Sequence, residues 1–329
     1  MELFTKVDLP QAGFKIDYTK HLMFVGSCFA QNISRRFVDL KFDTLVNPFG
    51  VVYNPLSICQ MFNNIASGRQ YTEKDIFCDH GKWNCWDAHS SLSNRKKEEC
   101  LLNLNNAVVA SAGFLKKADA VFITLGTAYV YFMKQSGVPV SNCHREDSSM
   151  FERRLISVEE AAKALKNVVE NLREINPDVN VVFTVSPLRH LNDGAHGNNL
   201  SKSTLHLAIV QVQSRYPDVV SYFPSYEIVM DELRDYRFYD RDMVHLSDVA
   251  EDFIFEKMGE TYFCEGTFAC VEQVKKFMKA VNHRVVDTGS PKNRGFAEKH
   301  IAMAENLMEQ IPGLDLHKEI EQFQVYLGC

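Results

Sequence analysis

The sequence predicts an α/β fold: three α/β/α layers around a central parallel sheet, followed by a C-terminal helical appendage. Short, continuous apolar runs of strand length alternate with amphipathic segments of helix length. The runs lack the polar alternation of a sheet with one wet face, as expected of strands buried on both sides. Strands interleaved with helices build parallel sheets through crossover connections. After about residue 262 the strand signals cease and only amphipathic helical patterns remain.

In chain order, the first strand candidate is "LMFVG" (22–26), after which Phe29, Ile33 and Phe37 recur every four residues as one face of a helix. "NPLSICQMFNNIASG" has a proline near a helix start and stops at Gly68. "FCDHGKWNCWDAHSSLS" (77–93) reads as a polar loop holding both tryptophans. An amphipathic segment from Asn94 to Lys117 leads to the strand "AVFITLG" (120–126), and "TAYVYFMKQSGVPVSNCH" (127–144) reads as a hairpin turning at Ser136-Gly137. Ser157 to Ile175 is helical again, closed by Asn176-Pro177. The strands "VNVVFTVS" (179–186) and "VVSYF" (219–223) follow. "TFACVEQVKKFMKAVNHR" and "RGFAEKHIAMAENLMEQI" are amphipathic helices flanking a polar stretch with "DTGSPKN". The expected division is a domain over residues 1–264 and a helical extension over 265–329 that packs on that domain or on a partner.

The 329-residue chain is 46% hydrophobic and 24% charged, enough for a sizeable core. A net charge of −6 with no basic face or arm gives no reason to expect nucleic acid as a partner. Nine cysteines, an odd number without framework spacing, read as reduced thiols. The N-terminus has neither a basic start nor a continuous apolar core, so no secretory signal is expected. No window approaches the roughly 20 apolar residues of a membrane span. The expectation is a soluble, cytoplasmic protein with no cofactor.

Ligand sites of open parallel sheets lie beyond the carboxyl ends of the strands. Gly26-Ser27 follows the first strand, Gly126-Thr127 the second and "SPLRH" (186–190) the third, while "RDMVHLS" brings Asp242 and His245 just before the last core helix. These residue types suit acyl transfer: a hydroxyl needs a base, histidine supplies one near neutrality, and a carboxylate orients the imidazole. Serine before a helix is more often a capping residue than a nucleophile, and His245 also reads as a surface or satisfied core histidine. Cys28 is either a small buried group or an alternative nucleophile, because neighbouring residues entering a helix point about 100° apart. Cys78, His80, Cys85 and His89 fit no formed zinc spacing, so no metal is expected. Trp83 and Trp86 read either as a substrate-stacking wall or as a hydrophobic lid.

"FVGSCFA" resembles the defining motif of the GSCFA family within the SGNH/GDSL hydrolase superfamily. The likeness continues through "NPFGVVYNP" (47–55), "WDAHSSLS" (86–93), "LGTAYVY" (125–131), "NCH" (142–144), "TVSPLRHLNDG" (184–194), "YFPSYEIVMDELRDYRFY" (222–239) and "DMVHLS" (242–247), over about residues 5–260. The resemblance implies an SGNH-like fold with Ser27 as nucleophile, His245 as base, Asp242 as its partner and Gly50 as a backbone oxyanion donor. It implies a serine esterase or acyltransferase acting on a small acyl group, on a sugar or cell-envelope precursor. Where the superfamily has an oxyanion asparagine, this chain has Ala128 and Tyr129. Either another group donates, with Thr127, Asn142 and His89 as candidates and His144 and His190 as further loop histidines, or the site is not a conventional esterase. The alternative is a binding protein that keeps the fold and has lost efficient catalysis.

Overall fold

The computed structural model describes residues 5–282 and 291–327. β1 (His21–Gly26) and β2 (Asp43–Val46) are followed by a small hairpin, β3 (Phe77–Asp79) and β4 (Lys82–Asn84), and then by β5 (Ala120–Leu125). A second small sheet joins β6 (Tyr129–Met133), β7 (Pro139–Val140) and β8 (Phe151–Leu155). The chain returns to the main sheet as β9 (Asn180–Val185) and β10 (Val220–Tyr222). The main sheet runs β10-β9-β5-β1-β2, every neighbour parallel. From β1 the chain moves outward to β2, then crosses back to β5 on the other side. The strand order therefore reverses between β1 and β5, and a crevice opens beyond their carboxyl ends.

Helices cover both faces. They are α1 (Cys28–Asp39), α2 (Pro55–Ala66), α3 (Lys97–Leu115), α4 (Val158–Ile175), α5 (Gly194–Arg215), the single turn α6 (Ser225–Glu227) and α7 (Asp248–Tyr262). Successive strand residues point to opposite faces. Met23, Val25, Val121, Ile123 and Phe183 accordingly pack with Ile58, Leu104, Leu165 and Leu205 of α2–α5. Leu22, Phe24, Phe122 and Val182 pack with Phe29 and Phe37 of α1 and Ile254 and Met258 of α7. Each such side chain contributes about 1.5–3 kcal/mol of burial. Local signals set the helix starts: the Asn54 side chain accepts the Ser57 N–H, and Ser157 forms a reciprocal capping box with Glu160.

The C-terminal helices are α8 (Thr267–Val281), α9 (Pro291–Gln310) and α10 (His317–Gln324). They share the α1/α7 core: Phe277, Leu307, Leu316 and Phe323 belong with Ile16, Tyr18 and Phe42. The Ile16 N–H donates to Tyr262 O at 2.7 Å and the Cys264 N–H to Ile16 O at 3.0 Å, so an N-terminal strap closes this side. No helix among the described residues is long and apolar enough to cross a membrane.

The layered fold and the parallel strands β1, β5, β9 and β10 are as the sequence predicts, β10 shrinking to three residues. The structure adds β2, whose half-buried "DTLV" has no continuous apolar run, and β8, which completes a sheet on the expected hairpin. The polar loop 77–93 holds the β3–β4 hairpin. Part of "DTGSPKN" lies outside the described residues.

Candidate active site

β1 ends at Gly26, where φ is +141° and a Cβ would sit 2.2 Å from Thr124 O, so only glycine fits. Ser27 takes the N-cap position of α1 with extended φ and ψ of −70° and 175°, yet its side chain makes no capping bond. Its hydroxyl is buried without a hydrogen-bond partner, and the residue is 5% exposed. The simple capping role is therefore absent, and so is a bond from Ser27 Oγ to His245. Cys28, one residue on and rotated about 100° around the helix, places Sγ 3.9 Å from His245 Nε2.

His245 is aimed by its own turn. Asp242 Oδ1 accepts the N–H groups of Val244 and His245 at 2.9 Å each, while Oδ2 lies 2.5 Å from His245 Nδ1. Met243 sits at a φ of 59° inside this tight loop. The His245 ring contact, followed by the two backbone N–H donors, holds the Asp242 carboxyl down to about 2. Together the three side chains form a carboxylate–imidazole–thiol line. The thiol sits at the α1 N-terminus, where the first-turn N–H groups lack intrahelical acceptors. Burial raises the Cys28 thiol, opposed by the N–H groups of Phe29 and Cys28.

Behind the site lies a buried polar stripe of α5 that sequence reasoning missed. Lys202 is 1% exposed and donates from Nζ to Gly126 O and Ser186 O at 2.6 Å each, tying together the chain just past β5 and β9. Burial lowers its pKa to about 7. A neutral amine has two N–H donors, so these two carbonyls are matched in either protonation state. One position earlier, Ser201 Oγ accepts the Ala128 N–H at 2.7 Å and shares a 2.9 Å bond with Thr127 Oγ1. Asn198 Oδ1 accepts the His190 N–H at 3.0 Å. The helical spacing 198, 201, 202 was the available signal, but it looks like a solvated face until the loops are placed on it.

Most of the oxyanion candidates are engaged elsewhere. The Gly50 N–H donates to Asn47 O at 2.7 Å inside a turn, so it is not the free donor that the resemblance implies. Asn142 Oδ1 accepts the His144 N–H, and His89 Nδ1 accepts the Ser91 N–H, so both serve local turns. The buried Thr127 hydroxyl also accepts the Tyr129 N–H. His144 is buried with Nε2 2.7 Å from Cys85 O, and burial lowers its pKa. A different side chain is open: Asn47, at a φ of 40°, accepts the Gly26 N–H on Oδ1 at 2.9 Å and leaves Nδ2 buried without a partner. Among the described residues no three His, Cys, Asp or Glu groups gather to hold a metal ion.

A cavity of about 330 Å³ adjoins this line through Val244, the residue before His245. Tyr53, Thr127, Tyr129, Arg153, Arg189 and His190 supply much of its wall. His190 stacks on Tyr53 with centroids 6.0 Å apart, and burial, followed by the Lys202 charge, pushes its pKa down to about 4. The tryptophans do not line this cavity. Trp86 stacks on Phe77 at 3.9 Å, and Trp83 lies under Lys97.

Fold and geometry together define the class: a doubly wound α/β/α protein with a thiol, an imidazole and a carboxylate in line at the switch point of its sheet. The chain belongs to the GSCFA family, whose model matches residues 21–258, and a second model, the C-terminal domain of GSCFA domain proteins, matches residues 274–327. No curated protein matches the sequence. Among solved structures, an acetyl xylan esterase (Est2A) from the rumen bacterium Butyrivibrio proteoclasticus is similar at 14% identity with a TM-score of 0.33. That match covers 64% of this chain, and this chain spans 56% of that one.

Proposed function

We propose that the protein is an SGNH-type acyl-transfer enzyme, an esterase or acyltransferase, with Cys28 as nucleophile, His245 as base and Asp242 as the residue that orients it. The observation that carries this reading is the line from Asp242 Oδ2 through His245 to Cys28 Sγ, 2.5 Å and 3.9 Å long. The thiol, raised by burial, rests protonated, so its proton passes to His245 Nε2 as sulfur attacks the ester carbonyl. The carbonyl electron pair moves onto oxygen, which the first-turn N–H groups of α1 and Asn47 Nδ2 stabilise. Collapse expels the alkoxide, which takes the proton from His245 and leaves a thioester. Water or an acceptor hydroxyl, deprotonated by His245, attacks the thioester and returns the thiol. The substrate class is an ester of a small acyl group, with the tyrosine-walled cavity receiving the rest of the molecule.

A serine reading has its own support: the Ser27 hydroxyl is buried, unpartnered and adjacent. The two readings separate on a panel of acyl esters and acylated sugars turned over by wild type, Cys28→Ala and Ser27→Ala. Cys28→Ala is expected to lose at least a thousandfold in kcat/KM while keeping its Tm, and Ser27→Ala to lose tenfold or less. Full turnover by Cys28→Ala alongside an inactive, phosphonate-resistant Ser27→Ala would move the chemistry to the hydroxyl.

A further inference from the structure

The cavity beside Val244 carries an unbalanced positive charge. On its wall Arg153 forms a two-point ion pair with Asp193, one arm at 2.8 Å, and the Asp193 side chain is 5% exposed. Arg153 also lies over the rings of Tyr129 and Tyr131, at 4.4 and 5.3 Å, so it is a satisfied strut of the aromatic wall. Arg189 differs. It lines the same cavity, is half-buried, and has no carboxylate partner among the described residues. Its one hydrogen-bond contact there is from Nη2 to Met230 Sδ, at 3.2 Å. A thioether is a weak acceptor, while a guanidinium offers five donors in a fork shaped for carboxylate or phosphate. Asp193 is the one carboxylate among the lining residues and is held by Arg153, so Arg189 is left without a compensating negative charge in the wall.

We propose that this cavity binds a substrate moiety bearing an anionic group, carboxylate or phosphate, which pairs with Arg189 while its ring or sugar plane rests on Tyr53 and Tyr129. The proposal deepens the acyl-transfer reading by giving its substrate a charge, and it rests on that reading only for the role of the site. Binding, not turnover, tests it. Ligand-observed NMR titrations would use 4-hydroxybenzoate, phenyl phosphate and neutral 4-hydroxybenzamide against wild type, Arg189→Gln and Arg189→Lys. At least one anion is expected to bind wild type tenfold or more tighter than the amide, the tighter arm telling carboxylate from phosphate. Arg189→Gln is expected to erase the preference, Arg189→Lys to keep part of it, and added salt to weaken it. Equal binding of anion and amide, no binding of any probe, or a preference that survives Arg189→Gln would overturn the proposal. Should Arg189→Gln not fold, the wild-type comparison and Arg189→Lys still decide. Failure of the acyl-transfer reading registers separately, as no turnover of the acyl-ester panel by wild type, or turnover unchanged in both Cys28→Ala and Ser27→Ala.

Discussion

Asp242 does two things with one carboxylate: Oδ1 closes a turn through two backbone N–H groups, and Oδ2 faces the imidazole. Asparagine can keep the first role and not the charge, so Asp242→Asn separates structure from chemistry. It is expected to lower kcat/KM by about 10²- to 10⁴-fold while the Tm moves little. An unchanged rate would remove the carboxylate from the mechanism. The folded-state pKa near 2 lies below the ordinary carboxylate value of about 3.9. What the ionised form contributes is therefore present above pH 4 and disappears as pH falls toward 2. The Asp-x-x-His pair was legible in the sequence because its geometry is local to one turn. Which of Ser27 and Cys28 faces the imidazole was not, since that depends on the phase with which α1 leaves β1. Asn47 was invisible as a donor for a related reason. Only the parallel pairing of β1 with β2 brings it to the Gly26 N–H.

At the scale of elements, legibility followed burial. β1, β5 and β9 are buried almost throughout, and their sequences are continuous apolar runs, whereas the edge strand β2 is half-buried along its length and left no pattern. α5 hides its meaning differently, by turning polar residues inward to hold the loops that follow β5 and β9. Lys202→Met keeps most of the volume and removes both carbonyl ties. The loops 126–129 and 186–190 are then expected to loosen and turnover to fall tenfold or more, because positioning errors are costly in catalysis. Stability provides a second readout. The folded pKa near 7 lies below the ordinary lysine value of about 10.4. Between those pH values the unfolded chain binds more protons, so this residue makes stability rise with pH. Urea midpoints at pH 7 and pH 9.5 should show a gain in wild type that shrinks in Lys202→Met. Equal gains would mean that Lys202 is fully charged in the folded protein at both pH values.

On the scale of the whole molecule, the question is whether the C-terminal helices are an appendage or part of the core. The sequence marked them by the loss of strand signals but could not show what they cover. Amphipathicity tells which face is buried, not against what. In the structure Phe277 and Phe323 are fully buried in the cluster that holds α1 and α7, and Lys41 pairs with Glu319 at 2.5 Å. The seam is tight at Gly313, where φ is +87° and a Cβ would lie 2.3 Å from Tyr18 O, a backbone atom of the N-terminal strap. Gly313→Ala thus forces both an unfavourable backbone conformation and a clash, with an expected cost of about 2–4 kcal/mol. We propose that residues 265–329 fold as one unit with residues 1–264. Calorimetry of Gly313→Ala should then show a single transition displaced downward by several degrees, with the α/β domain melting at the same lowered temperature. An early transition confined to the helices, with the main one unmoved, would instead make the extension a separable module whose apolar face serves a partner.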